Sequence, residues 1–287
     1  MTIAPGASVG AVRLRVADLE AVTAFYERAI GLRKLSQEDG VVRLGPEGGP
    51  AIVELAAAPG APPRPPFSTG LFHLAILVPT RADLAGGLRR VAGAGWRLTG
   101  ASDHLVSEAL YLNDPEGNGI EIYRDRPREE WRREPTGELA MATLPLDLDG
   151  VLAELGSVGS EYPGPIPAGT RIGHVHLQVS SLEPAESFYS GALELDVTVR
   201  SYPGALFLSA GGYHHHVGAN IWQTKGAPPP PEGALGLEHW ELVLPDLPER
   251  DRLTARLEEA GAELVGLDGG VLAADPSGNR ALLTAAG

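Results

Sequence analysis

Apolar and polar residues alternate at Val12, Leu14 and Val16, and again at Val175, Leu177 and Val179, the period of a strand with one buried face. After a turn at Asp18 or Ser181 the period lengthens, and Leu19, Val22, Phe25 and Tyr26 recur at helical spacing. These are two copies of one passage, since residues 9–26 align without a gap with residues 172–189, each running on into a Gly-Leu or Ala-Leu turn. A second kind of passage starts at Leu71 and recurs at Leu237. Both copies reach an Asp-Pro-x-Gly-Asn turn, Asp114 to Asn118 in the first and Asp275 to Asn279 in the second, set between short apolar runs, which predicts a hairpin.

The chain therefore reads as four repeats of strand, helix and three strands, at 8–58, 70–126, 171–223 and 236–285. Stretches 59–69 and 224–234 are Pro/Gly-rich linkers. The connector 127–170 is longer, charged at first and later rich in Gly and Pro, and is expected to wrap the surface. Four such repeats in 287 residues predict an α+β protein of two lobes.

Composition narrows the chemistry. The net charge of −14 disfavours nucleic acid and anionic membrane as partners and leaves a small molecule. No apolar stretch of about 20 residues is present to span a bilayer, and residues 1–10 lack a secretory pattern, so the expected location is the cytoplasm. With no cysteine, thiolate nucleophiles, iron–sulfur clusters and cysteine-ligated zinc are excluded, and any metal must be held by His and carboxylate. A homodimer is compatible with this reading.

The four β-α-β-β-β units resemble the vicinal oxygen chelate superfamily, which includes glyoxalases, extradiol dioxygenases and bleomycin- or fosfomycin-resistance proteins, and the resemblance covers nearly the whole chain. It implies that modules pair edge to edge into two open half-barrel lobes. It also implies metal ligands on the first and last strands of paired modules. The first-strand positions carry Ala11, His73, His174 and His239, and the last-strand positions, six residues past the turn proline, carry Glu121 and Leu282. Pairing units one and two would offer His73 and Glu121, with Glu54 as a spare carboxylate; pairing three and four would offer His174 and His239 with none. Units two and three together give His73, Glu121 and His174, the two-histidine, one-carboxylate set that suits ferrous iron and leaves positions open for substrate and oxygen. That pairing is the expected catalytic lobe, with units one and four metal-free and His239 left over. Pairing of sequence neighbours would be the simpler topology, but the 127–170 connector is long enough for the alternative. A buried, unpaired Glu121 would cost several kcal/mol, a penalty that a cation removes.

Surrounding residues select the reaction within the resemblance. His104 and Tyr111 stand 17 and 10 residues before Glu121, close to the offsets of second-shell His and Tyr in extradiol dioxygenases, whereas unit four carries Val265 and Leu272 in the equivalent places. In the run His214-His215-His216 the register favours His215 as an acid–base group. The run is expected to lie in a strand, where side chains alternate, so His214 and His216 share one face, His215 takes the other, and one of the two sets points away from the metal. His176, His216 and Asn220 are candidate pocket residues. The resemblance is thus to the catechol-2,3-dioxygenase branch, and implies Fe(II), or Mn, Zn or Ni in its place, acting on a small aromatic diol and O2. In that reading His104 or His215 moves protons and Tyr111 steadies developing charge. A metal-dependent glyoxalase-like lyase or isomerase, and a drug-binding protein without turnover, are the other readings the fold allows.

Overall fold

In a computed structural model of the chain, residues 2–157, 164–267 and 269–286 are described. Residues 158–163 of the expected connector and residue 268 of the fourth repeat lie outside them.

Each repeat is a strand, a helix and three strands. The first comprises β1 (Ser8–Val16), α1 (Leu19–Phe25), β2 (Arg33–Glu38), β3 (Val41–Gly45) and β4 (Val53–Ala57). The second comprises β5 (Gly70–Leu77), α2 (Arg81–Gly93), β6 (Gly100–Asp103), β7 (Ser107–Asn113) and β8 (Gly119–Asp125). The connector follows with β9 (Leu144–Pro145) and α3 (Leu148–Ala153). The third repeat holds β10 (Arg171–Gln178), α4 (Leu182–Glu186), β11 (Asp196–Val199), β12 (Ala205–Ser209) and β13 (Val217–Asn220). The fourth holds β14 (Gly236–Leu244), α5 (Leu247–Glu259), β15 (Leu264–Leu267), β16 (Gly270–Ala274) and β17 (Arg280–Ala285).

The strands form two sheets. One has eight strands in the order β15-β16-β17-β14-β1-β4-β3-β2, drawn from the fourth and first repeats. The other has nine in the order β11-β12-β13-β10-β5-β8-β7-β6-β9, drawn from the third repeat, the second and the connector. The chain also divides into two compact units, one of Met1–Arg15, Ala61–Phe72 and Gly173–Gly287, the other of Val16–Gly60 and His73–Ile172. Strand pairing and compact packing thus join the repeats differently. Hydrogen bonds run along a sheet, whereas helices of successive repeats pack on each other, α2 against the turn that extends α1 and α5 against the turn that extends α4.

In the second unit, helix ends follow local chemistry. Thr80 and Asp83 form a reciprocal capping box at α2, and Asp18 caps α1 by accepting from Ala21 N–H. The turn after α1 closes at Gly31, whose φ of 91° and proximity to the Arg90 side chain leave no place for a Cβ. Buried Arg90 donates to the carbonyls of Ile30 and Gly164. The Asp-Pro-x-Gly-Asn turn links β7 to β8, with Asp114 Oδ1 accepting from the N–H groups of Glu116 and Asn118. The connector is tied to the second repeat: the exposed Leu144 and Pro145 pair with β6, and Arg81 of α2 donates to Gly150 O and Glu154 in and beyond α3. Of its apolar residues Val151 is buried, whereas Leu144 and Leu148 stay exposed.

Glu108 on β7 is buried, faces Arg124 across β8, and accepts from Arg124 Nε at 2.7 Å and Arg81 Nε at 2.9 Å. Burial alone would raise this carboxyl, but the hydrogen bonds and charges of Arg81 and Arg124 outweigh it and hold it below its ordinary value. The stability it contributes is therefore present above the ordinary carboxylate range and is lost as pH falls through the lowered folded value. Glu108→Gln should lower unfolding free energy at neutral pH by about 2–3 kcal/mol, because it strands partly buried guanidinium groups. Urea unfolding at pH 7 and pH 3 checks this, with the gap between wild type and variant shrinking in acid.

The first unit follows the same rules. Asp246 caps α5 through Glu249 N–H, and Trp240, Leu242, Leu244, Leu253, Leu257 and Leu283 are fully buried. β14 runs parallel to β17 and antiparallel to β1, and β10 runs parallel to β13. At the second Asp-Pro-x-Gly-Asn turn, Asp275 accepts from Ser277 N–H, Asn279 N–H and Tyr189 OH. Burial, and then Asp275 itself, push the Tyr189 hydroxyl well above its ordinary value, so it remains a donor.

Candidate metal centre

Alternation along β5 places His73 on the face of Ala75 and Leu77, away from the core-facing Leu74 and Ile76. On β8, Glu121 shares its face with Tyr123, and across the ladder it stands opposite Tyr111 of β7. Ala75, Leu77, Ala109 and Tyr123 form a buried apolar cluster with Tyr111 packed against it. Above that floor, His73 Nε2 lies 2.9 Å from Glu121 Oε2, and the His73 and Tyr111 rings are 5.6 Å apart. Glu121 is only 2% exposed.

His104 sits on the β6–β7 connection, with Nε2 2.6 Å from Tyr111 Oη and Nδ1 2.7 Å from the carbonyl of Ala142 in the connector. A carbonyl can only accept, so Nδ1 carries the proton. In the neutral ring Nε2 is then the acceptor, and the Tyr111 hydroxyl donates to it. The pair is a phenol and a base already aligned for proton transfer.

β10 carries His174 and His176 on one face and the buried Val175 and Leu177 on the other. The three consecutive histidines are not in a strand, because β13 begins only at Val217. Gly211 and Gly212, at φ of 59° and 68°, turn the chain, and the segment that follows does not alternate. His214 and His215 accordingly meet, with their Nδ1 atoms 2.7 Å apart, instead of occupying opposite faces. One of the two nitrogens must hold a proton and the other accept it. The His215 ring is centred 4.0 Å from that of His174 and the His214 ring 6.0 Å. His216 turns back, its Nδ1 accepting from Ala210 N–H. Asn220 is fully buried on β13, with Oδ1 accepting from Trp222 N–H.

His73, Glu121 and His174 each present one ligand atom, and the three atoms all lie within 4.8 Å of one another in buried surroundings. Two imidazoles and one carboxylate fit a divalent first-row metal, which would be held by three protein donors and keep other positions open. His239, on β14 opposite Arg13, is buried outside this group, and Glu54 pairs with Arg43. Sequence reasoning missed the Ala142 carbonyl that orients His104, for which no side-chain signal exists. It also missed the rings of Phe72, Phe207 and Trp222 around His176.

A sequence profile of the Glyoxalase/Bleomycin resistance protein/Dioxygenase superfamily matches residues 8–122 and 171–281. The chain belongs to this superfamily. It is 42% identical over 271 residues to the catechol-2,3-dioxygenase of Bacillus subtilis (strain 168), covering 93% of each chain. A solved structure from Bacillus subtilis subsp. subtilis str. 168 shares the fold at a TM-score of 0.70 and 15% identity, over 99% of this chain and 86% of the other. Glyoxalase I from Zea mays matches at a TM-score of 0.57 and 17% identity, over 97% and 92%. These two likenesses establish the fold, which is therefore that of vicinal oxygen chelate proteins. Among the described residues no helix is long and apolar enough to cross a membrane.

Proposed function

We propose that the protein is a ferrous-iron-dependent extradiol dioxygenase that opens the ring of a catecholic substrate beside its two hydroxyls. The observation that carries the reading is the buried His73, Glu121 and His174 group, in a chain 42% identical to a catechol-2,3-dioxygenase along nearly its full length. The sheet built from the second and third repeats carries all three residues and is the catalytic one in this reading; the first- and fourth-repeat sheet, with Ala11 and Leu282 at the corresponding positions, is metal-free.

His73, His174 and Glu121 would hold the iron. When bound, it would supply Lewis-acid and redox chemistry for the diol and O2. The chain's own groups manage protons and solvent. His104 Nε2 and the Tyr111 hydroxyl form a relay that takes a proton from the diol and returns it later in the cycle. The His214–His215 pair holds a second proton beside His174. The apolar floor under Tyr111 keeps water from the developing charge. His176 and Asn220 line the same face of the third repeat, where they would contact the substrate; His216, tied to Ala210, would act through the loop that carries His215.

The test is anaerobic loading with Fe(II), removal of excess metal, and addition of catechol followed by air. The expected results are one iron per chain and a yellow ring-fission product. Full iron occupancy without product from any catechol would overturn the proposal. His239→Ala should keep both iron content and turnover per iron within a factor of about two, since it lies outside the ligand group. Loss of iron from that variant would move the centre to the other sheet.

A further inference from the structure

Aromatic side chains make up only 6% of the sequence, yet several gather on one face of the third repeat. From the His174 ring a chain of rings leads outward. His215 is 4.0 Å away, Phe207 is 4.9 Å from His215, and His176 is 5.7 Å from Phe207. Beyond His176 stand Phe72 at 5.2 Å and Trp222 at 5.4 Å, themselves 5.4 Å apart, with Tyr202 at 6.4 Å from Trp222. The inner end of this surface is buried, and its outer end is open, with Trp222 45% exposed.

An exposed indole is ordinarily mobile, but this one is fixed. Trp222 Nε1 donates to Pro203 O at 2.8 Å, and its ring lies over Gly204, where a Cβ would come within 3.0 Å of Cδ1. His176 is seated in the same way over Gly218, where a Cβ would stand 3.0 Å from Cγ. Two glycines thus make room for two rings that do not belong to the hydrophobic core under the helices. Rigid, half-exposed aromatic rings bind apolar groups with little loss of conformational freedom.

We infer that the Phe72, His176, Trp222 and Tyr202 rings form a subsite for an apolar substituent, so the substrate is a catechol bearing an alkyl or aryl group and not catechol itself. The inference rests on the function proposed above. Phe72 and Trp222 are its specificity-determining residues. They lie farther along the ring surface than His215 and so should not touch the diol.

The test compares catechol, 4-ethylcatechol and 2,3-dihydroxybiphenyl in two assays. In turnover by the iron-loaded enzyme, at least one substituted catechol should exceed catechol in kcat/KM by roughly tenfold or more. Trp222→Ala and Phe72→Ala should remove most of that advantage, lowering kcat/KM for the substituted catechol by roughly tenfold more than for catechol. In calorimetric binding to the zinc-loaded protein, which cannot turn over, the same order of affinities and the same dependence on Trp222 should appear. Equal affinity and kcat/KM for all three compounds would overturn the inference, as would an equal loss on catechol and substituted catechols in the variants. If no catechol is turned over, the proposed function fails by itself, and the binding ratio on the zinc form alone decides the subsite.

Discussion

Glu121→Ala should yield a folded protein that retains no iron through gel filtration and gives no ring-fission product. The carboxylate is buried beside His73, and it is the one anionic member of the proposed ligand group. Without it, two neutral imidazoles would have to hold a dication in a buried site with no compensating charge, where the cost of leaving water is several kcal/mol. Loss of a group that merely supports a ligand costs about 10–100-fold in metal affinity, so loss of the charged ligand itself should exceed that. Thermal stability of the metal-free protein should not fall, because the variant no longer buries a carboxylate. Iron analysis and melting curves on the same preparation separate loss of the site from loss of the fold. Retention of stoichiometric iron and turnover by this variant would remove Glu121 from the centre.

Tyr111→Phe is expected to have the second largest effect, through a different quantity. It preserves the ring that packs 5.6 Å from His73 and deletes the hydroxyl that lies 2.6 Å from His104 Nε2. Iron content should stay at the wild-type level while kcat falls by about 10²–10⁴-fold, the usual contribution of a positioned proton-transfer group. His104→Gln should cost a similar factor. With phenol and imidazole acting as the proposed single relay, the double variant should lose little more than either single one. Additive losses would mean that the two side chains work independently and that their hydrogen bond is not part of the reaction. The Ala142 carbonyl belongs to the proposed relay as well, because it favours the proton on Nδ1 and so makes Nε2 the acceptor.

The repeats and their elements were legible because each reports a local periodicity. Val12, Leu14 and Val16 alternate since one side of β1 is buried, and the Asp-Pro-x-Gly-Asn turns are closed by their own aspartates, within five residues. The reading failed where backbone conformation departs from its neighbours. The His214–His216 run was expected to alternate as a strand, but Gly211 and Gly212 in left-handed conformation hold it in a loop in which His214 meets His215. Composition marked the connector as a surface segment, and its β9 is exposed at a sheet edge, but nothing local disclosed that its Ala142 carbonyl meets His104.

By itself the sequence determined the kind of element along most of the chain and the kind of group available for chemistry: histidine and carboxylate, never cysteine, in a fourfold repeat. These follow from local steric preference and from side-chain identity, which act over a few residues. Tertiary structure alone decided which strands stand next to each other, and hence that His73, Glu121 and His174 come within 4.8 Å. It also decided which nitrogen of His104 is free to accept a proton. Such contacts join residues far apart in the chain, and the energy that selects them belongs to whole sheets and packed helices, so no short stretch of sequence carries it.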